Sequence, residues 1–205
     1  MNNQDTETRR KILKAAEKEF LEKGFKSASL RNIVKSAGVT TGAFYGYYPT
    51  KEALFSALVG ECADVVMGRF MHTQQEFEKL PTDVQPDNMG HGSRQYLEWL
   101  LGYIYDNYTS FKLLICCADG TEYSDFVHRM VEVEVLQTMK FFDVLNTLGY
   151  QSVQVDRQLC HIISSGMFGA MFEILVHDMP RPQAEEYIEK LCDFHTAGWR
   201  KIMGL

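Results

Sequence analysis

The 205-residue chain has only 5 Pro and 15 Gly, too few for a collagen-like or low-complexity architecture. Its five cysteines, Cys62, Cys116, Cys117, Cys160 and Cys192, are odd in number and mostly embedded in helical patterns. Reduced thiols are therefore expected rather than a disulfide framework. The longest apolar run, Leu159 to Val176, is interrupted by His161, Ser164, Ser165 and Glu173, which predicts a buried helix and no membrane span. The opening MNNQDTETRRK is polar and leads straight into an amphipathic pattern, so no secretory signal and a cytoplasmic location are expected. A Gly-rich phosphate loop, a nucleophile elbow and an HExxH helix are all missing. Cys192 with His195, Cys160 with His161 and the vicinal pair Cys116-Cys117 do not give the four-ligand spacing of a structural zinc site. The expectation is a chain that is not an enzyme and has no metal and no cofactor.

Apolar residues make up 45% and charged residues 23%, enough to build a core and exclude general disorder. The net charge of −6 conceals an asymmetry: residues 1–51 hold ten Lys/Arg and five Asp/Glu, whereas 52–205 hold 11 and 22. One end suits a polyanion and the rest repels it.

Ile12, Leu13, Ala16 and Phe20 recur at helical spacing, and Gly24-Phe25 predicts a left-handed cap with its apolar contact. Ser29 is placed to cap a second helix with Leu30, Ile33, Val34 and Ala37 inward, stopped by Gly38. A third begins at a Thr40 or Thr41 cap, points Phe44 and Tyr48 inward, and ends before Pro49. Two short helices flanking Ala37-Gly38-Val39 have the layout of a helix-turn-helix. Thr50 caps a fourth helix running to about Lys79, with Leu54, Phe55, Leu58, Cys62, Val65 and Val66 on one face. Residues 80–92 form an aperiodic loop, and helices follow at roughly 93–108, 110–118, 122–148, 155–178 and 182–203. The fold class is all-α: a three-helix helix-turn-helix domain over 1–51, then a larger helical domain over 52–205 for ligand binding and dimerisation.

The stretch TRRKILKAAEKEFLEKGFKSASLRNIVKSAGVTTGAFYGYYPTKEALF, residues 8–55, resembles the DNA-binding domain of TetR-family transcriptional regulators. Its specific parts are Gly24-Phe25, the turn Ala37-Gly38-Val39, the run Thr41-Gly42-Ala43-Phe44-Tyr45-Gly46-Tyr47-Tyr48, and Lys51-Glu52-Ala53-Leu54-Phe55. The period independently leaves Thr40, Thr41, Ala43, Tyr45 and Tyr47 outward or at the edge. Tyrosine hydroxyls suit phosphates, and threonine can offer a hydroxyl and a methyl to base edges. The resemblance implies phosphate contacts from Ser29 and Lys51, and close backbone approach to a base at Gly42. Three positions depart from the family pattern: Ala28 stands where threonine is common, Thr41 where lysine is frequent, and Gly46 where a larger side chain often sits. The operator sequence is therefore not deducible.

In the remainder, Ser165 with Gly169 and Gly166 with Ala170 lie four apart, so a second helix can approach closely. The last two helices are expected to pair with their copies in a homodimer, as in the family, because two half-sites require two recognition helices. Met67, Phe70, Trp99, Tyr103, Cys117, Phe126, Met130, Phe168, Met171 and Phe172 are the candidate lining of an adaptable apolar pocket. Glu134 and Glu173 interrupt apolar stretches and, if buried, need a partner: a cationic ligand, a nearby arginine such as Arg129, or simply solvent at a helix edge. The chain is thus expected to be a ligand-responsive homodimeric regulator, a repressor, released from a palindromic DNA operator by a small apolar or amphipathic effector. A thiol or metal sensor using Cys116 and Cys117 on the same scaffold is the alternative, and an all-α enzyme the remote third.

Overall fold

A computed structural model describes residues 3–150 and 155–205, and every regular element among them is helical. Part of the polar opening, residues 1–2, and the junction 151–154 lie outside the described residues. The helices are α1 (Asn3–Ser27), α2 (Leu30–Ala37), α3 (Thr41–Tyr47), α4 (Lys51–Glu78), α5 (His91–Asp106), α6 (Tyr108–Cys116), α7 (Phe126–Thr147), α8 (Arg157–Val176) and α9 (Arg181–Met203). A single 3-10 turn, Pro86–Asn88, breaks the stretch expected to be wholly loop, and Gln85 and Pro86 are buried there.

Packing divides the chain into two compact units that do not follow the boundary expected at residue 51. One comprises residues 1–64 and 107–126, the other 65–106 and 127–205. Residues 107–126 join the first because α6 packs on α1: the Phe25 N–H donates to the Cys117 carbonyl at 2.9 Å, and Lys26 pairs with Asp119 at 2.8 Å. The Ser56 and Tyr123 hydroxyls also lie 2.7 Å apart.

The first unit is organised by aromatic packing. Phe20, Phe25 and Phe55 meet with ring centroids 5.1 to 5.8 Å apart, and Phe20 and Phe55 are fully buried. Gly24 takes φ 69° but an extended ψ of 164°, so the chain kinks and makes a further turn to Ser27 instead of stopping at a simple left-handed cap. The other caps are as expected. Ser29 accepts from the Asn32 N–H, and Gly38 closes α2 in the left-handed region. The Thr40 and Thr50 hydroxyls accept from the Ala43 and Ala53 N–H groups.

The second unit is built from the later part of α4 with α5, α7, α8 and α9. Phe70 sits at its centre, 5.2 Å from the Tyr96 ring and 5.6 Å edge-on to Phe168. The expected stripe on α4 is displaced: Leu58 is only partly covered and Val65 is exposed, while Val59 and Ala63 are buried. A straight helix drifts away from a fixed repeat, and α4 contributes to the cores of both units along its 28 residues. Helix α8 is long and apolar enough by composition to cross a membrane. It buries Cys160, Ser164, Phe168, Met171, Phe172, Ile174 and Leu175 against protein, and leaves Ile162, Gly166, Gly169, Ala170 and Val176 exposed on the opposite side.

Candidate functional site

Among the described residues, the outer surface of α3 in the first unit and a cavity in the second bear on the expected contacts.

Helix α3 is too short to hold itself in water, since isolated helices below about 12 residues are marginal. It is fixed by its neighbours instead. Phe44 is fully buried and Tyr48 nearly so, and Arg9 Nε donates to the Tyr48 hydroxyl at 3.2 Å. With those residues inward, Thr40, Thr41, Gly42, Ala43 and Tyr45 are exposed. A Cβ added at Gly42 would meet no neighbouring atom, so the main chain is open to close approach. Tyr45 lies edge-on to Phe44 at 5.3 Å, which steadies its ring while half its surface stays accessible.

Besides Thr40, whose hydroxyl caps α3, three more expected contact residues carry internal bonds. The Tyr47 hydroxyl donates to Asp5 Oδ1 at 3.1 Å, which ties α3 to α1. The Ser29 hydroxyl serves the α2 cap, while Glu19 Oε1 accepts from the Ser29 and Asn32 nitrogens. The Lys51 ammonium donates to the carbonyls of Phe25 (2.8 Å), Ala28 (3.2 Å) and Lys26 (3.4 Å), and lies 4.4 Å from the Phe25 ring centroid. It thereby adds a charged donor to carbonyls at and just past the C-terminal end of α1. Arg31 and Lys35 were not singled out in the sequence, yet they stand exposed four apart on α2. Their i,i+4 spacing on a helix flanking the turn was the available signal.

The cavity, about 880 Å³ including its open mouth, collects residues from five segments. Thr73, Gln74 and Phe77 come from α4; Met89, Ser93, Arg94 and Leu97 from the start of α5 and the residues before it. Glu134, Gln137, Thr138 and Phe141 come from α7, Met167 from α8, and Cys192, His195, Thr196, Trp199 and Met203 from α9. Its walls mix apolar rings with polar groups. Glu134 lies deep in protein, retaining accessible surface toward the cavity, and burial pushes its pKa up to about 6. Gln74 Nε2 partly offsets this by donating to the carboxylate at 2.6 Å. That amide is the observed partner of the carboxylate expected to need one. Glu173, the other interrupting carboxylate, is exposed and pairs with His177 at 2.9 Å. Burial lowers the His195 pKa, favouring a neutral ring. At the rim Arg94 pairs with Asp193.

None of the ten expected pocket residues lines this cavity. Phe70, Met130, Phe168, Met171 and Phe172 are core residues of the second unit, where Met67, Trp99 and Tyr103 are partly covered. The Trp99 ring is occupied on its faces, stacking on Tyr103 at 5.2 Å and lying 4.2 Å from Arg69. Cys117 and Phe126 are buried in the first unit. Fully apolar side chains close upon one another at core density; space remains where bulky rings meet polar chains. Of the thiols, Cys116 is exposed, and Cys117 has its pKa raised by burial and by its neighbour Cys116, which opposes thiolate formation.

Comparison with known proteins adds to this geometry. Residues 12–58 match the model of bacterial regulatory proteins, tetR family. The HTH-type transcriptional regulator YdgC of Bacillus subtilis is 44% identical over 59 residues, 29% of this chain and 30% of that one. The HTH-type transcriptional repressor BepR of Brucella suis is 44% identical over 54 residues, 26% of each. The chain thus spans less than a third of the length of these relatives, and the matches concern the N-terminal part. The whole chain superposes on SCO3833, a TetR-family member from Streptomyces coelicolor, with a TM-score of 0.58 and 15% identity, covering 91% of this chain and 90% of that one, a likeness of fold.

Proposed function

The N-terminal module belongs to the TetR family of bacterial regulatory proteins, and from that premise we propose that the chain is a cytoplasmic, homodimeric, ligand-responsive transcriptional repressor. The observation that carries the reading is α3 itself: a helix pinned from inside by Phe44 and Tyr48 that offers Thr41, Gly42, Ala43 and Tyr45 to solvent. Side chains of this kind can meet base edges and thymine methyls in a major groove. Ser29, Thr40, Tyr47 and Lys51 supply the backbone contacts. Lys51 gives up its longest bond, the 3.4 Å one to the Lys26 carbonyl, and turns that donor to a phosphate while the other two hold it in place. Arg31 and Lys35, exposed on α2, add positive charge to the first unit.

Dimerisation through α8 and α9 accounts for apolar side chains left in water. Phe194 is 73% and Ile162 61% exposed, with Leu159, Val176 and Tyr187 also uncovered. A two-fold copy covers the same patch on both protomers, and an operator of two half-sites takes one α3 from each.

The effector site is the cavity around Glu134 in place of the ten residues expected from the sequence. Phe77, Phe141 and Trp199 would take an apolar body and Glu134 a cationic or hydrogen-bond-donating group. A cationic effector stabilises the ionised carboxylate, so its affinity rises as pH passes about 6. Because α4 runs from Lys51 to the cavity residues Thr73, Gln74 and Phe77, an effector there can bias the end that contacts DNA. An effector coupling of ~1–3 kcal/mol weakens operator binding roughly 5–150-fold.

The test is selection of duplexes from a random pool by the full chain, followed by fluorescence anisotropy on the enriched sequence at several salt concentrations. An inverted repeat with strongly salt-dependent binding is expected. Enrichment of no sequence over background, or of single half-sites only, would overturn the operator reading.

A further inference from the structure

His128 and Glu132 are one helical turn apart on α7, and His161 faces them from α8. One ligand atom from each lies within 4.8 Å of the other two. His161 Nε2 is 3.5 Å from Glu132 Oε1, which matches the separation of roughly 3.4 Å between two donors placed about 2.1 Å from a tetrahedral ion. The two imidazole centroids are 5.6 Å apart. His128 is exposed, whereas Glu132 and His161 are partly buried and held by neighbours.

The holding groups are arranged as outer partners of a metal site. Arg157 engages Glu132 through Oε2 and leaves Oε1 directed at His161. Ser165 Oγ lies 3.3 Å from His161 Nδ1, so the ring's second nitrogen is occupied and Nε2 is the one presented to the carboxylate. Second-shell bonds of this kind fix the ring orientation and tautomer of a ligating histidine. This set is not legible in the chain's order, because i,i+4 ligands on one helix are completed by a residue about thirty positions later.

We propose that His128, Glu132 and His161 bind one first-row divalent transition ion, with Zn²⁺ the natural occupant. Two imidazoles and a carboxylate suit zinc, and the exposed flank beside His128 leaves the fourth position to water or an exogenous ligand. The ion links α7 to α8 and tightens the second unit around the helix that carries Ile162 and Gly169. This site is separate from the Glu134 cavity and does not depend on the regulatory reading.

Calorimetric titration of the full chain with Zn²⁺ alone tests it. One ion per chain is expected, together with a raised Tm. His128→Ala and His161→Ala each remove one of three ligands and should abolish measurable Zn²⁺ binding and the Tm rise, whereas Ser165→Ala, which removes only an outer partner of His161, should weaken binding by about 10–100-fold. His128 is solvent-exposed, so its variant retains the fold, as an unchanged metal-free Tm will verify. Co²⁺ in the wild-type chain should give visible bands without a thiolate charge-transfer band. Unchanged Zn²⁺ affinity in the His128 and His161 variants, loss of binding in Cys192→Ser or His195→Ala instead, or the appearance of thiolate charge transfer would each overturn the proposal.

Discussion

At the scale of single residues, Lys51 and Glu134 show how a charge acquires a meaning the sequence does not spell out. Lys51 opens α4, where its charge opposes the helix dipole. The structure reveals the compensation: carbonyls at the end of α1 and the Phe25 ring receive it. Lys51→Ala therefore has two expected effects. Loss of charge-assisted bonds should cost the first unit about 1.5–3 kcal/mol, read by denaturant unfolding. If one donor also reaches a phosphate, the slope of log affinity against log salt should fall by about 1. An unchanged slope with reduced stability would leave the lysine a purely internal cap. Glu134 is the opposite case, a carboxyl whose folded pKa is raised to about 6. Its contribution to stability is fully present below the unfolded value of about 4.5 and is lost as pH rises through about 6, a difference near 2 kcal/mol. Glu134→Gln should remove that loss. The variant should match the wild type at pH 4.5 and exceed it in urea unfolding at pH 7.5.

Elements were legible where local chemistry alone decides them. Ser29, Gly38, Thr40 and Thr50 act as caps within a few residues of chain, and each stands in its expected role. Phe44 and Tyr48 likewise fixed the inward face of α3. The pocket was not legible, because a cavity is set by the mismatch between side chains on segments far apart in sequence. The soft and aromatic stripe that suggested a binding site, Phe70, Met130, Phe168 and Met171 among it, fills a core instead. Helix α8 belongs between these cases: its two-sided apolar character was visible, but the uncovered side is a property of the fold. A Cβ at Gly169 meets nothing in the protomer, so Gly169→Leu should leave the fold of a single chain intact. If a partner helix approaches here, the bulk should convert dimer to monomer in sedimentation velocity with far-ultraviolet circular dichroism unchanged. A variant that stays dimeric would move the interface off this part of α8.

At the scale of the molecule, charge and packing draw different borders. The excess of positive charge ends near residue 51, whereas the packed first unit continues to residue 64 and reclaims 107–126. A charge count follows the composition of the surface and is blind to which distant segment seals the hydrophobic interior behind it. The comparison by family likewise reaches only residues 12–58, so the contribution of α6 is supplied by the fold alone.

The hydrogen bond from the Phe25 N–H to the Cys117 carbonyl, with the Lys26–Asp119 pair beside it, bears on how this protein can be cut and recombined. A fragment ending at residue 51 lacks Phe55, one corner of the aromatic triangle, and the whole of α6. It should be largely unfolded by circular dichroism. A chimaera that transplants the first unit onto another helical chain should take both 1–64 and 107–126, which makes that unit a two-piece graft with exchange points at three places in the gene. Chimaeras that carry the first piece alone are expected to express as insoluble or protease-sensitive chains, and restoring the second piece should recover a cooperative thermal transition.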